Sequence, residues 1–155
     1  MTGRSRCLTA LLALALCSGR PSAAAPPSTT VAAAPTPAEV TAELQRDVEV
    51  ARARFEARDL AGVLASVSEQ YRSAGMTKPA LREQLAAMFA LYQALQARVT
   101  LDRVEPVAGG VRIYTTGEVN GRLPVVGWVT VLSWQGEPEV ARREATGWRL
   151  YGFQD

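Results

Sequence analysis

Three tyrosines, two tryptophans and two acids are the side chains of this sequence best suited to a binding pocket or to proton chemistry. Tyr71, Tyr92 and Tyr114 carry hydroxyls that can hydrogen-bond at a cavity wall, and Trp128 and Trp148 can line one. Asp102 and Glu118 fall inside segments that alternate like strands. Two carboxyls facing one cavity have their proton affinities pushed apart and can serve as acid and base. The candidate acid–base set is therefore Tyr71, Asp102 and Glu118. The candidate ligand-lining set is Tyr71, Tyr92, Tyr114, Trp128 and Trp148. Each has a plainer competitor. A buried aromatic more often fills space between sheet and helix, and a strand acid more often faces water, here with Arg103 and Arg112 nearby.

What is missing narrows the chemistry further. The chain has no histidine, which removes serine–histidine and cysteine–histidine nucleophile pairs and any imidazole-liganded zinc or iron site. Its two cysteines, Cys7 and Cys17, stand near the N-terminus and have no metal-ligand spacing. There is no phosphate-binding glycine loop, nucleophile elbow or internal repeat. No metal and no cofactor are expected.

The elements that must position these side chains follow from periodicity. Thr36-Pro37-Ala38-Glu39 is a helix start with a capping box. Val40, Leu44, Val48, Ala51 and Phe55 then recur at helical spacing to about Arg58. Asp59 caps a short second helix carrying Leu60, Val63, Leu64 and Val67, and Tyr71 to Met76 is an extended connection. Thr77 opens a third helix whose apolar face is Leu81, Leu85, Met88, Tyr92 and Leu95. From Ala97 the pattern is that of strands, with a stop at Pro106, a turn at Gly109-Gly110 and a hairpin at Asn120-Gly121. A long apolar run follows, broken at Gln135-Gly136-Glu137-Pro138, and Thr146-Gly147 turns into a last strand from Trp148 to Phe153. Arg142-Arg143 is expected on an exposed edge. Helices first and meandering strands after predict an α+β domain, with three N-terminal helices packed on a curved, mostly antiparallel sheet of about four to five strands.

The N-terminus has the order of a secretory signal. Arg4 and Arg6 precede an apolar run from Leu8 to Leu16, and Ser22, Ala23 and Ala24 supply small residues for cleavage after Ala24. The expected layout is a signal at 1–24, an Ala/Pro/Thr tether at 25–36 and one domain at 37–155, exported to a periplasm or secreted. Contact with a membrane would come through an uncleaved signal, or through a lipid on Cys17, where Leu16 is a poor preceding residue. Loss of Arg4, Arg6 and Arg20 with the signal leaves 14 basic against 15 acidic residues, a net of −1. That balance argues against nucleic acid as a partner.

Several of these segments resemble the nuclear transport factor 2-like superfamily, a cystatin-like α+β cone. They are the helix ending Ala57-Arg58-Asp59-Leu60, the Tyr71 that closes the next segment, and the final Thr146-Gly147-Trp148-Arg149-Leu150-Tyr151-Gly152. The resemblance implies a bent sheet wrapped round a long helix, with a pocket at the wide end. It includes polyketide-cyclase and steroid-isomerase relatives alongside non-catalytic binding modules. At the positions where the isomerase-like members keep a donor and a base, spacing places Val50 and Gly75, which supply neither. The expectation is thus a non-catalytic exported module for a small apolar molecule or a protein partner. The alternative is a small lyase, isomerase or cyclase using Tyr, Asp or Glu groups on an apolar substrate. A homodimer through the sheet face is a further expectation.

Overall fold

The structure, a computed structural model, describes residues 34–153. The expected signal, its two cysteines and residues 25–33 of the expected tether lie outside the described residues. Thr36 opens α1 (Pro37–Glu56) with the capping box read from the sequence: its hydroxyl accepts from the Glu39 N–H while the Glu39 carboxylate accepts from the Thr36 N–H at 2.7 Å. Arg58, at φ 58°, reverses the chain. Asp59 then caps α2 (Leu60–Ala65) by accepting from the Gly62 N–H at 2.9 Å. The segment expected as a plain extended connection is a miniature hairpin of β1 (Arg72–Ser73) and β2 (Met76–Thr77).

Thr77 caps α3 (Lys78–Leu91), but this helix is shorter than its apolar spacing predicts. Tyr92 is already extended, and the Gln93 N–H donates to the Arg122 carbonyl at 2.9 Å. Leu95 therefore belongs to β3 (Ala94–Val107), opposite Gly121. β4 (Gly110–Leu123), β5 (Gly127–Glu144) and β6 (Gly147–Gly152) complete an antiparallel sheet in the order β3-β4-β5-β6. Among the described residues the α+β class holds, with three helices, four strands in the main sheet and the separate two-stranded ribbon.

Three strand expectations are corrected. Pro106 does not end β3, because β3 is an edge strand and a missing N–H on its open side breaks no ladder bond. Asn120-Gly121 is not a hairpin turn. Both residues sit inside β4, paired to β3 and β5, and the turn comes later at residues 124–126. Gly121 serves instead to let the Tyr92 ring lie flat on the strand, where any Cβ would collide with it. Gln135 to Pro138 does not break the sheet either. The ladder passes from Trp134 to Glu137 across a bulge opposite Thr116, with Gly136 at φ 61° and its N–H donating to the Thr116 hydroxyl at 3.1 Å. Arg142-Arg143 likewise lies in β5 against β6 rather than on an open edge.

The core is in two pieces. Val40 and Leu44 of α1 pack with Val111, Ile113, Ala141, Trp148 and Leu150 at one end. Phe55 at the other end of α1 packs with Leu95, Ala97, Val119, Tyr92, Val131 and Trp134. The middle of α1 spans the interval between them.

Candidate functional site

That interval is a cavity of about 980 Å³. Its roof is the middle of α1, through Val48, Ala51, Arg52 and Phe55, and its floor is the inner face of the sheet. Antiparallel pairing puts opposite residues on one face, so the alternation in β4 that buries Val111, Ile113, Thr115 and Val119 also aims them inward. Val99, Leu132, Trp134, Leu150 and Phe153 add further apolar wall, and Val63 closes the α2 side. The tip of the β1–β2 hairpin, from Arg72 to Gly75, borders the opening. A space of this size with mostly hydrocarbon walls and a few grouped polar atoms is the usual form of a small-molecule site.

The polar atoms come chiefly from β5. Glu137 pairs with Thr115 and Glu139 with Ile113, so both acids stand on the cavity face, two residues apart. Glu139 is half-buried, and that burial pushes its carboxyl up to about 7, with the neighbouring Glu137 charge adding to the effect. Tyr71 is buried beside it. Its hydroxyl is raised above the ordinary tyrosine value first by burial and then by the Glu139 charge, while a hydrogen bond with Ser73 acts the other way. The Trp134 indole N–H donates to the Thr115 hydroxyl at 3.0 Å, which fixes the ring against the wall. Arg52 is held by Glu49 and Glu56 at 2.9 and 3.0 Å, and an Arg72 guanidinium N–H donates to the Tyr71 carbonyl at 2.7 Å. A carboxyl that changes charge near neutral pH, in an apolar cavity, can accept or donate a proton or a hydrogen bond to a bound molecule. Among the described residues no cluster of His, Cys, Asp and Glu is arranged to hold a metal ion.

The side chains singled out from sequence are dispersed. Tyr71 stands just behind the cavity wall. Tyr92 is packed on Gly121 in the second core piece, and the Trp148 indole donates to Glu43 of α1 at 3.0 Å in the first. Asp102, Tyr114 and Glu118 lie on the opposite face of the sheet. There Asp102 accepts from the Thr116 hydroxyl at 2.7 Å, Glu118 accepts from the Asn120 amide, and the Tyr114 hydroxyl donates to Glu105 at 3.0 Å beneath the Arg103 guanidinium. Trp128 is exposed and stands opposite Arg122. Gly75 borders the cavity, whereas Val50 is exposed on α1 and does not. Glu137, Glu139 and Trp134 were missed because the segment holding both acids resembles a strand break. The parity of Glu137, Glu139 and Ala141, continued back from the buried Ala141, is the sequence signal that places both acids inside.

No protein-family model matches this sequence, and no curated protein matches it. Solved structures do. A conserved protein from Planctomyces limnophilus superposes with a TM-score of 0.63 at 12% identity, over 73% of this chain and 91% of that one. A candidate dehydratase of the NTF2-like family from Streptomyces avermitilis gives 0.59 at 12% identity, covering 76% and 95%. A ketosteroid isomerase-like protein from Erwinia carotovora atroseptica gives 0.54 at 17% identity, covering 72% and 90%. At these identities the likeness is one of architecture: this chain shares its α+β fold with those NTF2-like and ketosteroid isomerase-like structures.

Proposed function

We propose that this chain binds a small, largely apolar molecule in the cavity beneath α1, with the polar part of that molecule at Glu139. The observation that carries the reading is the cavity itself, which interrupts the core between two packed clusters and is walled mainly by aliphatic and aromatic side chains. An interior left open at this scale forfeits packing energy that a bound apolar molecule restores. Ala51 is half-buried on the roof, so an indole placed there fills the cavity from a helix that needs no rearrangement. Ala51→Trp is expected to lower the affinity for a neutral apolar dye such as Nile red by about tenfold or more. Native mass spectrometry of the unmodified protein is expected to find a bound small molecule that Ala51→Trp excludes. Equal dye binding by both proteins overturns the reading.

A second reading is favoured by one observation, the half-buried carboxyl of Glu139 on the wall of an apolar cavity, where burial raises its proton affinity. We infer that a carbonyl compound bound there undergoes proton transfer, with Glu139 as the acid–base group. Incubation with such a compound in deuterated water is expected to place deuterium next to the carbonyl, and Glu139→Gln is expected to stop it. Absence of incorporation leaves simple binding as the function.

A further inference from the structure

The turn between β4 and β5 is Pro124-Val125-Val126, at the end of the sheet, and none of its residues lines the cavity. Val125 is 96% exposed, Val126 70%, Trp128 47%, and Leu91 at the end of α3 59%. Trp128 stands opposite Arg122 in the ladder, and the bond from Gln93 to Arg122 brings the end of α3 to the same end of the sheet. Within residues 91–97 and 119–132 Arg122 is the one charged side chain. Arg58 joins it by donating to the Phe89 and Tyr92 carbonyls, while the acids that reach these strands, Glu56 and Glu118, accept from the Ala97 N–H and the Asn120 amide.

Turns exposed to water favour Gly, Asn, Asp and Ser, so two β-branched aliphatic residues at an exposed tip have no local reason to be there. The tip matches a lipid surface on three counts: aliphatic side chains at the apex, an amphipathic indole at the flank, and the Arg122 and Arg58 cations beside acids already engaged in hydrogen bonds. We propose that Val125 and Val126 insert into the headgroup region of an anionic lipid surface, with Trp128 at the interface and Arg122 facing the phosphates. This contact belongs to the folded domain and is separate from any anchor supplied by the N-terminus.

Vesicle flotation of the full chain tests it, with phosphatidylcholine alone and with phosphatidylcholine mixed with phosphatidylglycerol. The apolar run at residues 8–16 is common to every variant, so a difference between variants reports the tip. Val125→Asp with Val126→Asp is expected to lower binding to the mixed vesicles by about tenfold or more while leaving the circular dichroism spectrum unchanged. Tryptophan fluorescence is expected to be quenched by bromine-labelled acyl chains, and Trp128→Phe is expected to abolish that quenching. Equal binding by the double variant, no binding by either protein, or quenching that survives Trp128→Phe overturns the proposal. So does a change in oligomeric state in the double variant without vesicle binding, which assigns the tip to self-association.

Discussion

Burial in the cavity wall keeps the Glu139 carboxyl protonated up to about pH 7, well above its ordinary value of 4.5. Between those values the folded protein binds a proton that the unfolded chain releases, so the sign of the linkage is fixed. Stability falls as pH rises through that window and remains lost above it, by at most about 3 kcal/mol. Glu39, Glu43 and Glu144 shift the other way, each held charged by hydrogen bonds, so their contributions vary below pH 4.5 and leave the window clear. Urea unfolding at pH 5 and pH 8 is expected to show the protein less stable at pH 8, and Glu139→Gln is expected to flatten that difference. An unchanged slope in the variant would place the titration elsewhere. The parity of Glu139 with Ala141 records its inward position in the sequence, but its shift is not written there, because the shift comes from a cavity wall that only the folded sheet assembles. The tyrosine beside it was legible as a residue, though not as the partner of this acid.

At the scale of elements, what was legible is what is encoded locally. The caps at Thr36, Asp59 and Thr77 each use a side chain and an N–H within three residues, so sequence spacing suffices to find them. Asn120-Gly121 misleads for the opposite reason: its glycine answers to Tyr92, far away in sequence, and the demand is for space rather than a turn. The bulge at Gly136 depends in the same way on Thr116 of the neighbouring strand. Gly121→Ala is expected to cost about 1–3 kcal/mol through overpacking against the Tyr92 ring. Combining it with Tyr92→Ala is expected to cost less than the sum of the two changes, because the collision is then gone. Additive losses in a double-mutant cycle of urea midpoints would show that Gly121 serves some other constraint.

For the whole molecule, α1 holds two core pieces apart at its ends and leaves its middle as a roof. The fold class was legible because helices precede strands along the chain. The cavity was not, since it is the space left between packed clusters and no single motif records it. The cavity beneath α1 and the apolar tip at the end of the sheet are two separate surfaces of the domain. Binding in the cavity is measured most directly by methyl NMR during titration with a neutral apolar ligand. Shifts are expected at Val48, Val99, Val119 and Leu132, all of which line the cavity, with Val125 and Val126 unmoved. Shifts confined to Val125 and Val126, or none at the lining residues at saturating ligand, would contradict a binding site beneath α1.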